Sequence, residues 1–416
     1  MTTSKGPAEA YVWIWLPNAT TPVVAGRLQM DGENMVFNYG QSYLNRQDKI
    51  PIYEPELPLQ AGILPLPEGL NMPSCIRDGA PDAWGRRVII NKKVGTKRGD
   101  IDTDYLDEMT YLLESGSDRI GALDFQQSPT EYVPRSVVNA SMEELMESAQ
   151  RVEEGVPLTP ELDQALFHGS SIGGARPKAL IEEHHTKYIA KFSALTDQYS
   201  VVKAEFVAMR LAQLAGLNVA NVRIETTSGK DVLLVERFDR AKKDGQWARR
   251  PIVSALTLFG FSDMEARYAS YETFAEIIRT RFEKPKETLR ELFSRLVFSI
   301  LCGNTDDHAR NHAAFWDGHQ LSLTPAYDIC PQGRSGGEAT QAMLIHGDNR
   351  FSQLAVCMKA ASTFLLTPQN ATDIFDQQID VIEKNWQQVC DEAKVSEVDK
   401  NLWWRRQFLN PYSLER

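Results

Sequence analysis

Gly303-Asn304-Thr305-Asp306-Asp307-His308-Ala309-Arg310-Asn311 is the stretch on which the reading of this chain turns. Before it, Leu289, Leu292, Phe293, Leu296, Val297, Ile300 and Leu301 recur at helical spacing. They predict a long helix, apolar enough to be central to its part of the protein. The apolar run stops at Cys302, and the polar burst after it reads as a loop at the end of a buried helix. Beyond the loop, Ala313-Ala314-Phe315 and Leu321-Ser322-Leu323 flank Asp317-Gly318, the pattern of a short hairpin. Thr324-Pro325-Ala326-Tyr327-Asp328 follows at once. The order is a carboxylate (Asp306), a carboxamide five residues on (Asn311), a hairpin, and a second carboxylate (Asp328).

Phosphoryl transfer from a magnesium-bound nucleotide needs that set of groups. One Asp accepts or orients the proton of the attacking hydroxyl. An Asn oxygen and a second Asp hold the metal that neutralises the phosphates. Each residue singly also fits a capped helix end or a solvated turn; the ordered set carries the reading. His308 and His312, four apart, would share a face if the segment were helical, and with Asp306 and Asp307 they would suit a metal-dependent hydrolase. No HExxH pattern accompanies them, and the segment follows a helix. His308 is therefore read with Asp306, beside the nucleotide.

Upstream, Gly169-Ser170-Ser171-Ile172-Gly173-Gly174-Ala175-Arg176-Pro177-Lys178 is the most glycine-rich window. It is no Walker A loop, because Ala175-Arg176 stands where Lys-Ser/Thr is required, and GxGxxG fails too. Two short strands are expected after it, Ala179-Leu180-Ile181 and Tyr188-Ile189-Ala190-Lys191-Phe192. Lys191 then lies on a strand beside a glycine-rich loop, where a lysine reaches nucleotide phosphates. Glu205, early on the helix expected over 202–214, is either its ion partner or an exposed first-turn glutamate. Leu234-Val235-Glu236-Arg237-Phe238-Asp239-Arg240 reads as a strand running into a connector whose backbone can meet an adenine edge.

The 416 residues allow two to three domains, at ~150 residues each. With 42% hydrophobic and 24% charged residues, the chain is an ordinary globular one rather than a disordered or disulfide-scaffolded one. The net charge of −11 argues against a broad nucleic-acid surface. Five widely spaced cysteines without CxxC suggest a reducing compartment. No apolar stretch approaches the ~18 residues of a spanning helix, and no signal peptide is visible. A cytoplasmic protein without membrane contact is expected. Strands are expected over 11–16, 23–28 and 35–37, helices near 80–92, 105–113 and 370–408, and capping boxes at Ser141/Glu144 and Thr273/Glu276. Predicted boundaries are 1–135, an α+β subdomain; 136–245, a β-rich lobe with the glycine-rich loop and connector; and 246–416, an all-helical lobe with the Asp306 and Asp328 segments.

Together these windows resemble the HipA-type serine/threonine kinases, the toxin half of bacterial toxin–antitoxin pairs. Residues 171–178 resemble the family's phosphate-loop serine motif, 188–192 its ATP-lysine strand and 235–240 its hinge. Residues 305–311 resemble its catalytic loop, and 323–328 its metal-binding segment. Residues 78–87 and 112–122 resemble its N-terminal subdomain. The resemblance implies an α+β, two-lobed, protein-kinase-like fold and a protein kinase using ATP and Mg²⁺. It implies Asp306 as catalytic base, with Lys191 and His308 beside it, and Asn311 and Asp328 on the metal. Gly173, Gly174, Lys178, Lys191, Glu236, Phe238, Asn311 and Tyr327 would surround ATP. It further implies autophosphorylation of a loop serine, Ser171 or its neighbour Ser170, and a protein substrate; some relatives act on aminoacyl-tRNA synthetases. A small, separately encoded helix-turn-helix antitoxin is the implied partner, with DNA met only through it. Asp307 departs from the pattern, standing where a small residue is expected, with altered metal or substrate contacts as the consequence. A degenerate kinase fold that binds a partner without catalysis is the rival reading.

Overall fold

Alternation of aromatic and β-branched side chains over 11–15 yields β1 (Glu9–Ile14), which buries Val12, Trp13 and Ile14. The computed structural model describes residues 6–94, 106–135, 140–156, 158, 159, 162, 174–195, 197, 199–334 and 336–416. β1 pairs on one side with β2 (Val23–Asp31), followed by β3 (Asn34–Tyr39) and β4 (Ile63–Leu64). On the other side it pairs with β5 (Leu123–Gln126), giving an antiparallel order β4-β3-β2-β1-β5. Gly32, at φ +63°, makes the expected turn between β2 and β3. The helix expected near 80–92 runs over Ala83–Val94, so Pro81 precedes it rather than sitting in its first turn. The one expected over 105–113 is Glu108–Glu114, because Asp107 caps it by accepting from Thr110 N at 2.8 Å.

The chain divides into two compact units. The first draws on 1–196, 226–253 and 316–319, and the second on 197–225, 254–315 and 320–416. Besides the N-terminal sheet, the first unit holds β6 (Lys178–Glu183) and β7 (Thr186–Phe192), paired antiparallel in the expected hairpin. After β8 (Val222–Thr227) and a turn at Ser228-Gly229, both at positive φ, β9 (Lys230–Glu236) lies against the other edge of β7. Ala179, Ala190, Phe192, Val232 and Leu234 face Trp84 and Val88 of Ala83–Val94 and Leu145, Met146, Ala149 and Val152 of the helix Met142–Glu153. The latter helix opens on the predicted Ser141/Glu144 capping box. A short hairpin, β10 (Arg240–Lys243) with β11 (Gln246–Arg249), completes the unit.

The second unit is mainly helical. Its centre is Pro285–Cys302, whose predicted stripe from Leu289 to Leu301 is fully buried. Around it stand Val201–Leu214, Tyr271–Arg281, Leu354–Ala360 and Pro368–Glu392. The capping box predicted at Thr273/Glu276 is displaced. Ser270 is the N-cap, accepting from Thr273 N at 3.0 Å, so Thr273 sits one turn inside the helix. Among the described residues no helix is long and apolar enough to cross a membrane.

Gly303 ends the central helix in the left-handed conformation, φ +75°. A Cβ there would stand 2.7 Å from the Gln407 carbonyl oxygen. Gly216, at φ +83° after Val201–Leu214, has open space around it. Gly216→Ala should therefore cost only the left-handed backbone penalty, about 1–2 kcal/mol. Gly303→Ala adds a backbone collision and should cost roughly 3 kcal/mol or more. Thermal denaturation of the two variants side by side checks the order; equal shifts would refute the collision.

Candidate active site

The residues singled out by the sequence fall in both units. In the helical unit, Pro285 at the first turn and Gly303 at the end fix both limits of the central helix, and Gly303 turns the chain into the polar loop. Asn304 N donates to Ser299 O at 2.8 Å, tying the loop's first residue to the last helical turn. The main-chain carbonyl of Asp306 then accepts twice, from His308 N at 2.9 Å and from Asn311 Nδ2 at 3.1 Å. Asn311 closes a 3₁₀ turn, Ala309–Asn311, with its own amide on His308 O at 2.9 Å. With Nδ2 so committed, Oδ1 is the edge of the Asn311 carboxamide left to act as a ligand.

The Asp328 segment is brought to the same loop. Ala326 bridges to Val219, donating to Asn218 O at 2.8 Å and accepting from Ala220 N at 2.9 Å. The Tyr327 hydroxyl donates to Arg310 O at 2.7 Å. Asp328 itself is left-handed, φ +58°, a conformation that Asp tolerates better than most residues. The carboxyl of Asp306 is raised above its ordinary value. Neighbouring atoms desolvate its inner side, although the residue keeps an exposed face, and the like charges of Asp328 and Asp307 add to the rise; His308 opposes them. Asp306, Asn311 and Asp328 thus share one loop cluster, with hard oxygen donors of the kind Mg²⁺ takes.

Asp307 turns the other way. It is buried, accepting from the Tyr271 hydroxyl and from Ser299 Oγ at 3.1 Å, with His312 Nε2 3.0 Å from its Oδ1. Burial would raise its carboxyl, but His312 and these donors hold it below the ordinary value. It is therefore an interior buttress of the loop, not the altered metal or substrate contact expected of it. His308 and His312 both have extended backbone, so the helical face the two histidines would need is not formed. Among the described residues no group of three or more His, Cys, Asp or Glu side chains comes together to hold a metal. Glu205 is buried on Val201–Leu214, not an exposed first-turn residue.

In the first unit, Lys191 on β7 lies directly opposite Lys178 on β6, so both project from one face of the hairpin. It is the face away from Ala179, Ala190 and the two helices. Gly174, φ +104°, ends the glycine-rich window, and the Lys178 ammonium occupies the space a Cβ on Gly174 would fill. Gly173 and the candidate acceptors Ser170 and Ser171 lie outside the described residues. At the end of β9, Arg237 N donates to Lys187 O at 2.8 Å. Glu236 is the last residue of β9, whose other edge carries β8, and Phe238 stands beyond the strand's end in the turn before β10.

The connector carries a network that the sequence reading missed. Arg237 and Arg240 are buried and share Asp118 and Asp239. Both guanidiniums also donate to Arg119 O, and Gly121 N donates to Asp239 Oδ2 at 2.8 Å. Lys187 adds a third cation on Asp118. Burial would raise the Asp239 carboxyl, but Arg237 and Arg240 hold it down to about 2. Asp118 is likewise held well below the ordinary range. The available signal was density of charge: Asp118-Arg119 and Arg237 to Arg240 crowd ions into segments bordered by apolar strands.

A β-rich unit with a paired-lysine hairpin and a helical unit with an Asp/Asn/Asp loop cluster define an α+β fold of the protein-kinase-like class. The chain belongs to the HipA family: the HipA-like C-terminal domain matches residues 170–386 and the HipA N-terminal domain residues 16–126. The serine/threonine-protein kinase toxin HipA of Shewanella oneidensis is 27% identical over 183 residues, covering 38% of this chain and 42% of that protein. Putative kinase Y4mE of Sinorhizobium fredii is 29% identical over 147 residues, covering 34% and 33%. The matched stretches thus span less than half the length of these two relatives. A solved structure of HipA, from the Shewanella oneidensis MR-1 complex of HipA, HipB and operator DNA, shares the fold, with a TM-score of 0.68 at 20% identity. The match covers 94% of this chain and 97% of that one.

Proposed function

We propose that the chain is an ATP- and Mg²⁺-dependent serine/threonine protein kinase of the HipA toxin type. The observation that carries this reading is the shared loop cluster of Asp306, Asn311 and Asp328, with Asn311 bonded to Asp306 and Asp328 near enough for its charge to be felt there. Asp306, with its raised affinity for a proton, accepts the proton of the substrate hydroxyl. Asn311 Oδ1 and the Asp328 carboxylate hold Mg²⁺, which when bound neutralises phosphate charge. Lys178 and Lys191, side by side on one face, bind phosphate oxygens. The main chain of Glu236 and Phe238, at and just beyond the end of β9, receives the adenine, and Gly173 and Gly174 border the phosphates. Tyr327 holds the metal segment to the catalytic loop, and His308 tempers the charge around Asp306.

The substrate on this reading is a cellular protein, and Ser171 or Ser170 is the self-acceptor. Phosphate there adds roughly −1.5 to −2 charge beside the ATP phosphates and switches the enzyme off by repulsion. The partner is a separately encoded DNA-binding antitoxin, in keeping with the HipB found with the related HipA. Residues 1–135, 136–245 and 246–416 would serve as N-terminal subdomain, nucleotide lobe and catalytic lobe.

The test is incubation with Mg-ATP, followed by intact-mass measurement and phosphosite mapping. Gain of one phosphoryl group is expected, and its absence from protein shown to start unphosphorylated would refute the proposal. Asp328→Asn keeps a residue that accepts the left-handed backbone and removes only the charge. It should slow transfer by at least ~10²-fold and raise the Mg²⁺ concentration needed for half-maximal rate.

A further inference from the structure

The end of the glycine-rich window is gripped by a helix start far away in sequence. Gly174 N donates to Asp82 Oδ2 at 2.7 Å, and Gly174 O accepts from Trp84 N at 3.2 Å. The Arg87 guanidinium donates to Ala175 O. The indole Nε1 of Trp84 donates to Lys178 O at 3.0 Å. Four contacts thus tie Gly174, Ala175 and Lys178 to the first turns of Ala83–Val94 and the residue before it. Trp84 is fully buried among Ala179, Ala190, Val232 and Leu234, so its indole is part of the core under the lysine-bearing hairpin. Residues 82–87 lie within the stretch matched by the HipA N-terminal domain, outside the stretch matched by the C-terminal one.

We propose that Asp82 and Trp84 are positioning residues for the nucleotide phosphates: they fix the exit of the glycine-rich window so that Lys178 and Lys191 hold a shared phosphate-binding geometry. The proposal rests on the kinase reading above. Its physical basis is that Lys178 is set from both ends. Its carbonyl is held by Trp84, and its ammonium lies over Gly174, whose own peptide groups are held by Asp82 and Trp84. The Asp82 bond is charge-assisted and so among the stronger hydrogen bonds. Releasing it lets Gly174, already in a backbone region open to few residues, drift and carry the Lys178 head group with it. Affinity for phosphates falls as the two ammoniums lose register, while affinity for the adenine end is untouched.

Calorimetric titration of the full chain with Mg-ATP and, separately, with adenosine tests this. All proteins carry Asp306→Asn, so that no loop phosphate forms, and intact mass verifies it. Asp82→Ala should weaken Mg-ATP binding about tenfold, the loss of one charge-assisted hydrogen bond, and leave adenosine binding unchanged. Asp82→Asn retains an acceptor oxygen and should recover most of the loss. Trp84→Phe keeps the aromatic packing without the indole donor and should shift Mg-ATP alone, in the same direction. Mg-ATP binding unchanged or tightened in Asp82→Ala overturns the proposal. Equal loss for adenosine and Mg-ATP also overturns it, by showing a structural role only. If the Asp306→Asn parent binds neither ligand, the kinase reading itself falls, an outcome separate from failure of the anchor.

Discussion

Asp306→Asn should slow phosphoryl transfer by roughly 10²–10⁴-fold while leaving Mg-ATP binding intact. The bonds that shape the catalytic loop use the main-chain carbonyl of Asp306, which accepts from His308 N and Asn311 Nδ2, and an Asn side chain leaves that carbonyl in place. The variant therefore keeps the loop and loses one property, the ability to take a proton. A positioned general base contributes roughly 10²–10⁴-fold, so the rate should fall by about that factor. Binding should not fall with it. Burial first, and then the like charges of Asp328 and Asp307, raise the Asp306 carboxyl, so a neutral residue 306 relieves carboxylate repulsion within the loop cluster. The measurement is single-turnover transfer from Mg-ATP beside a binding titration. A rate within tenfold of wild type would remove Asp306 from the mechanism. Loss of binding in step with rate would make it a structural residue instead.

Where the sequence was legible, a local pattern had one physical solution. The stripe from Leu289 to Leu301 can be buried only as a helix, and Gly303 in left-handed conformation ends it where the polar run begins. The β6–β7 pairing followed from a short polar turn between apolar runs, and it set Lys191 on the face away from Ala190. Where local patterns admitted two solutions, the reading slipped. Ser270 and Thr273 both fit a helix start, and the structure uses the earlier one, which has extended backbone. Asp307 was harder still. It adjoins Asp306, yet the turn between them sends it inward, to a Tyr271 thirty-six positions away. Nothing in the spacing of 303–311 encodes that partner. The grip of Asp82 on Gly174 spans ninety-two positions, and only the packing of Trp84 under the sheet brings the two together.

The largest stability effect should come from Asp239, in the connector between β9 and β10. Asp239→Ala leaves Arg237 and Arg240 buried with Asp118 as their remaining shared carboxylate. Breaking a buried ion network from one side typically costs about 3–5 kcal/mol, because the stranded charge keeps its desolvation penalty. By contrast, Glu9→Gln removes an exposed partner of Arg27 and should cost less than about 1 kcal/mol. The pH dependence distinguishes a charge effect from a packing effect. The folded-state pKa of Asp239 is depressed from 3.8 to about 2. Its ionic contribution is therefore fully present above the unfolded value and is lost as pH falls from about 4 to about 2. Asp239→Asn should accordingly lower the unfolding midpoint most at neutral pH and converge on wild type as pH approaches 2. A gap that stays constant with pH would assign the effect to packing. Replacing Arg237, Asp239 and Arg240 together by apolar residues should recover much of the loss, since no charge is then stranded. The same network fixes the connector that follows β9 to the 118–121 loop. A destabilised Asp239 variant should therefore lose adenosine affinity before it loses the fold, the opposite selectivity to that expected for Asp82.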